Sequence, residues 1–160
     1  MFKNFCLAGL FLFFSCESSE NCCVNYEADI FLKVQDSNGK DLLAPDNGII
    51  DSKSIKIFYL TSNDVKQEVN KPNLDSPKGY RVITQAMDNS SDYKIQLFLN
   101  TDYINPQNLS YTYVKWNESS TDVIKAEFKR SGNNLSVVKV WVNDVVKWDL
   151  SSDRAITIVK

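Results

Sequence analysis

The sequence contains no histidine, the residue that most often serves as a general base or as a metal ligand in proteins. It also lacks an excess of basic charge, because 18 lysine and arginine residues stand against 20 aspartate and glutamate residues. No glycine-rich phosphate loop and no nucleophile motif is present. These absences argue against an enzyme, and they predict a protein without a cofactor, a metal or a nucleic-acid partner.

Cysteine is scarce, and the four cysteines cannot build a disulfide framework. Cys6 and Cys16 lie in the N-terminal stretch, which leaves only the neighbouring pair Cys22 and Cys23. Adjacent cysteines can be bridged only through a strained ring, and two thiols without a second pair make a poor zinc site. We therefore expect two thiols without a catalytic task, with a strained or intermolecular bridge as the alternative.

Long hydrophobic runs are limited to Phe5–Phe14, which covers only about half of the roughly 20 residues that a membrane-spanning helix needs. Lys3 precedes this run, and the small residue Ser15 follows it immediately before Cys16. A basic start, a short apolar stretch and a small residue form the layout of an export signal. The sequence therefore predicts a signal peptide over residues 1–15 rather than a transmembrane helix.

A cysteine directly after a small residue at the end of such a run resembles the lipobox of bacterial lipoproteins, although Phe13 stands where that family usually has leucine. The resemblance implies that Cys16 is acylated and becomes the first residue of the mature chain. Two or three acyl chains hold a protein on a membrane permanently, whereas one short chain holds it only marginally. Residues 16–27, with Glu17 and Glu20, are then a lipid-anchored tether, and their acidity resembles the surface-export signals of Bacteroidota lipoproteins. The alternatives are an ordinary secretory signal that is cut near Ser15 and a cysteine that carries no lipid.

After the tether, apolar and polar residues alternate in short segments that are separated by turns. Asp122–Arg130 shows the clearest alternation, with Ile124, Ala126 and Phe128 on one face. No apolar stripe with helical spacing runs far enough to indicate a long helix. About nine such segments predict an all-β domain over residues 28–160, namely an antiparallel β-sandwich, with an immunoglobulin-like arrangement as one form of it. An open barrel is the alternative.

Aromatic residues are the one group with binding potential, because flat rings can stack on sugars and are common at binding hot spots. Phe58 and Phe98 fall opposite the apolar stripes of their segments. The alternation around Val114 likewise puts Tyr111 and Tyr113 on one face. Thr112, Val114 and Trp116 fall on the other face of that segment.

The last two tryptophans fall on a predicted hairpin around Asn143-Asp144. Its register places Trp141 opposite Val146. In the same register Lys139 lies opposite Trp148. Trp141, Trp148 and Lys139 would then share one face, and we expect them to form a binding platform if that face is outward. If it is inward, the tryptophans belong to the core and Lys139 extends its ammonium group to solvent.

Several segments of the domain look like small β-domain lipoproteins of Bacteroidota to which no activity is assigned. They are Phe31–Leu43, Ile55–Leu60, Tyr113–Asn117, Thr121–Lys125, Val142–Val145 and Ile156–Lys160. The resemblance implies a protein of the cell envelope that is anchored in the outer membrane by acyl chains on Cys16. It implies no catalytic or binding residue.

Three hypotheses of function follow from these patterns. The leading one is a non-enzymatic binding module for a partner protein or a glycan. The second is a structural subunit of an envelope complex that assembles through its sheet edges. The third is a hydrolase that uses a carboxylate pair. Asp144, Asp149 and Asp153 cluster near the C-terminus, but solvated turn residues explain them better.

One loop offers oxygen ligands at close spacing. Asp36, Asn38 and Asp41 lie around Gly39 and offer three oxygen ligands, the kind that calcium prefers. The glycine has the wrong offset for an EF-hand, and no glutamate follows at the required place. We therefore expect a simple turn and no metal.

The lipid anchor is directly testable. We expect mass spectrometry of the membrane fraction to find residues 1–15 missing and a lipid mass on the first peptide, which begins at Cys16. An intact Met1 end, or an unmodified product in the soluble fraction, would contradict this prediction.

Overall fold

The computed structural model describes residues 24–46, 48–88 and 92–160. The predicted signal peptide, Cys16, Cys22 and Cys23 lie outside the described residues, so the lipid anchor stays a prediction. The described residues form eleven strands and one four-residue helix. These elements are β1 (Tyr26–Glu27), β2 (Asp29–Gln35), β3 (Lys56–Leu60), β4 (Lys66–Glu68), β5 (Tyr80–Ile83), α1 (Gln85–Asp88), β6 (Lys94–Phe98), β7 (Leu109–Asn117), β8 (Ser120–Ser131), β9 (Asn134–Val142), β10 (Val145–Asp149) and β11 (Ala155–Val159).

The strands form two sheets. Sheet A has the order β1-β9-β8-β7-β3-β4, with β10 also paired to β9, and sheet B has the order β11-β2-β6-β5. The pairs are antiparallel except for β1 with β9 and β11 with β2, which run parallel. The predicted all-β sandwich is confirmed, with eleven strands instead of about nine and with one parallel pair in each sheet.

The first strand lies inside the range that was predicted as tether. β1 pairs with β9 through Tyr26 opposite Leu135 and Glu27 opposite Ser136. Two residues are too few to show an alternation of polar and apolar side chains, and the ring of Tyr26 is exposed. Periodicity therefore offers no signal for this strand.

The core is one apolar layer between the two sheets, because alternate residues of the strands point into it. Leu32 in β2 and Leu97 in β6 contribute from sheet B, and Ile124 in β8 contributes from sheet A. The largest fully buried side chain is Trp116 in β7. Burial of a large apolar side chain contributes roughly 1.5–3 kcal/mol. This layer therefore determines which residues of every strand face outward.

A charged group is also buried in this domain. Asp122 at the start of β8 is 3% exposed, and its Oδ2 accepts a hydrogen bond from the indole Nε1 of Trp116 at 2.7 Å. Lys160 Nζ lies 2.6 Å from the same oxygen. Oδ1 accepts a hydrogen bond from Asn143 Nδ2 at 2.8 Å. Both carboxylate oxygens are thus paired, as a buried charge requires.

This network joins the two sheets. Asp122 belongs to sheet A, whereas Lys160 directly follows β11 of sheet B, and its backbone nitrogen donates to the carbonyl of Gln35 at 2.9 Å. Burial raises the pKa of Asp122, but the hydrogen bonds from Lys160, Asn143 and Trp116 outweigh burial and leave the pKa below its ordinary value. The carboxylate therefore stays charged and holds the end of β11 against β8.

We expect Lys160→Met to lower the free energy of unfolding by roughly 3–5 kcal/mol at neutral pH, because it leaves a buried carboxylate without its cation. The control is Lys56→Met, which removes an exposed pair with Glu68 at 3.3 Å and should cost at most about 1 kcal/mol. Urea unfolding of both variants measures the two effects. Equal losses in the two variants would contradict the role given to Asp122.

The same variant gives a pH dependence with a defined sign. Because the folded-state pKa of Asp122 is lowered, its contribution to stability is full above the pKa of the unfolded chain and disappears as the pH falls through the folded pKa. The stability difference between wild type and Lys160→Met should therefore be largest near neutrality. It should shrink as the pH falls through about 4, the ordinary range of an aspartate.

Candidate binding face

The outward-facing residues of β3, β4, β7, β8 and β9 form the outer surface of sheet A, which we call the aromatic face. It carries the half-buried rings of Phe58, Tyr111, Tyr113 and Trp141. Each ring alternates along its strand with buried residues of the core. The rings are therefore outside the core and partly exposed to solvent.

Strand pairing brings these rings together from distant parts of the sequence. Tyr111 of β7 lies opposite Lys125 of β8, which in turn lies opposite Trp141 of β9. Phe58 of β3 lies opposite Tyr113 of β7. Since adjacent strands are about 4.8 Å apart, Tyr111 and Trp141 are separated by roughly 10 Å across the sheet. The spacing gives an extended row rather than a single contact point.

Lysine side chains lie against two of the rings. Lys66 Nζ is 4.0 Å from the ring centroid of Tyr113. Trp141 has two such neighbours, since Lys125 Nζ is 4.8 Å and Lys139 Nζ is 5.0 Å from its ring. Cation–π contacts of this kind hold both partners in place at the surface. The aromatic face thus presents rings with ammonium groups lying over them.

The aromatic face carries charges of both signs. Its strands contribute six lysines and two glutamates, namely Lys56, Lys66, Lys115, Lys125, Lys129, Lys139, Glu68 and Glu127. Two carboxylates in adjoining turns, Glu118 and Asp144, pair with Lys115 and Lys125. Lys139 lies opposite Glu127 on one side and opposite Asp149 of β10 on the other. The lysines of this face are therefore accompanied by carboxylates.

The predicted hairpin around Asn143-Asp144 is confirmed, and Trp141 lies opposite Val146 as expected. The second half of the predicted register is wrong. A bulge between Val146 and Trp148 shifts the pairing, so that Trp148 lies opposite Val140 and Lys139 lies opposite Asp149. A shift of one residue moves a side chain to the other face of its sheet.

As a result, the two tryptophans are on opposite faces. Trp148 is 4% exposed in the core, and its Nε1 donates to the carbonyl of Ser152 at 2.9 Å. Trp141 is half-buried on the aromatic face, and Lys139 remains beside it. The expected platform of Trp141, Trp148 and Lys139 therefore does not form, and Trp148 belongs to the core.

Sequence reasoning missed the lysines and the width of this face. The alternation in β7 places Tyr111 and Tyr113 opposite Val114, as predicted. Nothing along the chain indicates that Trp141 is two strands away from Tyr111, or that Lys66 reaches the ring of Tyr113. Such neighbours depend on strand order, which a single sequence does not reveal.

A cleft of about 390 Å³ opens between the 69–79 segment and the ends of β1 and β6. A second cleft of about 270 Å³ opens between residues 59–71 and residues 100–103. Both are lined by Tyr59, Val69 and Lys71. Lys71 Nζ is 2.7 Å from Asp102 Oδ1, and the hydroxyl of Tyr59 donates to the carbonyl of Phe98 at 2.8 Å. Burial, together with the nearby Asp102 carboxylate, raises the pKa of Tyr59, which keeps this donor protonated. The polar groups therefore serve the fold, and the clefts carry no evident chemistry.

The candidate calcium loop is a turn. Asp36 Oδ1 accepts hydrogen bonds from the backbone nitrogens of Asn38 and Lys40 at 2.8 and 2.9 Å. Asp41 binds the backbone nitrogens of Leu43 and Tyr93 in the same way, both at 2.8 Å. These carboxylates are occupied by the main chain, as in an Asx turn. Among the described residues, no cluster of three or more potential metal-binding side chains is found.

The C-terminal carboxylates are likewise engaged separately. Asp144 Oδ1 is 3.0 Å from Lys125 Nζ. Asp149 Oδ1 accepts hydrogen bonds from the hydroxyl and the backbone nitrogen of Ser151, and these bonds lower the pKa of Asp149. A lowered pKa suits a turn residue and not a general acid.

Compared with protein-family models, curated proteins and solved structures, the chain matches none of them. In the part of the chain that the structure describes, no helix is long and apolar enough to span a membrane.

The different positions of the two tryptophans predict different effects on stability. Trp148→Ala removes a core side chain and should lower the free energy of unfolding by roughly 3–5 kcal/mol. Trp141→Ala removes surface contacts, namely the cross-strand contacts and the cation–π contacts with Lys125 and Lys139, and should cost roughly 1 kcal/mol. Thermal and urea unfolding of the two variants provide the test. A loss for Trp141→Ala as large as that for Trp148→Ala would place Trp141 in the core.

Proposed function

We propose that this protein is a non-enzymatic lipoprotein of the cell envelope, anchored in the outer membrane by acyl chains on Cys16, whose β-sandwich binds a partner protein or a glycan. The signal-like residues 1–15 and the tether 16–27 support the location. The aromatic face supports the binding role. One observation carries the proposal: Trp141 lies half-buried outside the core, in the same cross-strand row as Tyr111.

These rings stay partly exposed to water, so the protein does not gain the full stabilisation that burying them in its own core would give. A sheet face in contact with water is normally occupied by polar residues, in alternation with the buried ones. Four aromatic rings on one such face are typical of a surface that meets a ligand, because aromatic residues are enriched at binding hot spots.

The other two hypotheses receive less support. The strands at the sheet edges, β1, β4, β5, β10 and β11, contain two to five residues each, which offers little backbone for edge-to-edge assembly. For a hydrolase, a carboxylate with a raised pKa in a cleft is expected. The cleft residue Asp102 is instead paired with Lys71.

The proposal is tested by comparing Trp141→Ala with Phe31→Ala. Phe31 is a matched control, because it is half-buried on the outer face of sheet B and has Lys94 Nζ 5.4 Å from its ring. Both variants and the wild type are screened against glycan arrays and against cross-linked envelope proteins. We expect Trp141→Ala to weaken binding about tenfold or more, as truncation of an aromatic hot spot does.

Phe31→Ala should bind like the wild type. If both variants keep full binding, the ligand does not use the aromatic face. If Phe31→Ala alone loses binding, the binding surface lies on sheet B. If the wild type binds nothing in either screen, the binding role itself is contradicted.

A further inference from the structure

β11 forms one edge of sheet B and lacks the features that usually protect such an edge. Edge strands are normally kept from pairing with other chains by charged side chains, by proline or by a bulge. The edge strands β1, β4, β5 and β10 each contain at least one charged residue. β11 contains no charged residue and no proline, since its sequence is Ala-Ile-Thr-Ile-Val, and its register with β2 has no bulge.

The two cations that flank β11 are bound elsewhere. Arg154, before the strand, pairs with Glu27, and Lys160, after the strand, pairs with the buried Asp122. A flanking lysine or arginine can repel an approaching strand only if its charge is uncompensated. Both charges are compensated within the chain, so this edge has no charged protection.

The free side of β11 carries hydrogen-bonding groups at alternate residues. The carbonyl of Arg154 accepts from the backbone nitrogen of Phe31 at 2.8 Å, and the backbone nitrogen of Lys160 donates to the carbonyl of Gln35 at 2.9 Å. Both ends of the strand are thus bound to β2. Because the direction of the backbone groups alternates along a strand, every even-numbered residue points to β2. The residues that point away, to the side where sheet B has no further described strand, are Ala155, Thr157 and Val159.

The apolar layer is also open beside this edge. Val145 lies opposite the buried Val142 and therefore points to the core side of sheet A, yet it is 57% exposed. Leu150, in the connection from β10 to β11, is 70% exposed, and Val159 is 58% exposed. Exposed apolar side chains that lie together mark sites of protein association. The side of the sandwich where β10 and β11 meet therefore favours a protein partner.

A second copy of β11 fits this edge when it runs antiparallel. A two-fold axis at Thr157 places Thr157 opposite itself and Ala155 opposite Val159. Residues in such pairs exchange both of their N–H···O bonds, so the free groups of all three residues are satisfied by one another. No pair brings like charges together, and cross-strand threonine pairs are favourable. A register shifted by one residue would instead place these groups opposite residues that are already bound to β2.

We propose that this protein forms a symmetric dimer in which the β11 strands of two copies pair antiparallel about Thr157 and join both copies of sheet B into one sheet. The two-fold axis is perpendicular to the joined sheet, so both copies of sheet A lie on the same side of it. The two aromatic faces then point in the same direction, and a ligand with repeated units can contact both. The dimer goes beyond the proposed function and does not depend on it.

The short edge sets the kind of assembly. An antiparallel pair about one axis uses up the free edge of both copies, so it gives a closed dimer and not a longer array. Five residues on each side make a small interface, and interfaces below about 1,200 Å² are typical of weak association. A covalent trap is therefore the most direct test.

A cysteine on the two-fold axis tests the pairing. Thr157→Cys is introduced into the full-length chain that also carries Cys22→Ser and Cys23→Ser, and the protein is purified in detergent and mildly oxidised. Opposite α-carbons of a hydrogen-bonded pair are about 5.5 Å apart, a distance that a disulfide spans. We expect a disulfide-linked dimer on a non-reducing gel. The same background without Thr157→Cys should stay monomeric.

Cysteines elsewhere on β11 test the register. Ala155→Cys is exposed on the same strand, but two copies of it would lie roughly 14 Å apart in the antiparallel dimer, too far for a disulfide. It should therefore not link to itself. A mixture of Ala155→Cys chains and Val159→Cys chains should link, because these residues are opposite each other.

A charge on the axis tests whether the strands must pair. Thr157→Lys in both chains of that mixture places two ammonium groups opposite each other and should abolish the link between Ala155→Cys and Val159→Cys. The matched control is Gln67→Lys, which adds the same charge at an exposed residue of the edge strand β4 and should leave the link intact. Urea unfolding of both lysine variants should show the stability of the parent chain.

A Thr157→Cys chain that stays monomeric on oxidation would overturn the dimer. Self-linking of Ala155→Cys as strong as that of Thr157→Cys would contradict the antiparallel register. A link that survives Thr157→Lys would show contact between copies without strand pairing. The ligand screens concern sheet A, so a dimer that binds no ligand would contradict only the proposed function. A monomer that binds a ligand would contradict only the dimer.

Discussion

The apolar layer between the two sheets is the constraint on which the rest of this structure depends. Strand residues alternate between two faces, so that burial of Leu32, Leu97 and Ile124 fixes their neighbours in the chain on the outside. The aromatic face is a consequence of this rule, since its rings are the outward neighbours of core residues. Packing of the core does not account for the rings that face solvent, and we propose that these rings bind a ligand.

Two local features, a bulge in β10 and a buried ion pair, add to this alternation. The bulge in β10 turns Trp148 into the core while Val146 still faces Trp141, and so separates a structural indole from an exposed one. The buried Asp122, paired with Lys160, fastens the end of β11 to the start of β8 across the two sheets. Neither the bulge nor the Asp122–Lys160 pair buries a ring of the aromatic face. A ligand can therefore contact it without disturbing the fold.

Much of the fold was predictable from the sequence, because period-two alternation and turn residues are local signals. The hairpin around Asn143-Asp144 is an example, and its first pair, Trp141 with Val146, is confirmed. The error at Trp148 arose from the bulge, whose single extra residue leaves no mark in the alternation. The Asp122–Lys160 pair escaped prediction for another reason. Its partners are far apart in the sequence, and an aspartate in an otherwise alternating strand looks like a surface residue.

The aromatic face was only partly predictable, since strand order decides which rings become neighbours. The central claim, that this face binds a ligand separately from the core, can be tested by following the indole N–H signals of the three tryptophans in ¹⁵N NMR spectra. Nε1 of Trp116 and of Trp148 are hydrogen-bonded inside the domain. Titration with a glycan or protein that binds in the screens should therefore shift the Trp141 signal and leave the other two in place. A bound complex in which the Trp141 signal does not move, or in which the two buried signals move instead, would contradict the account.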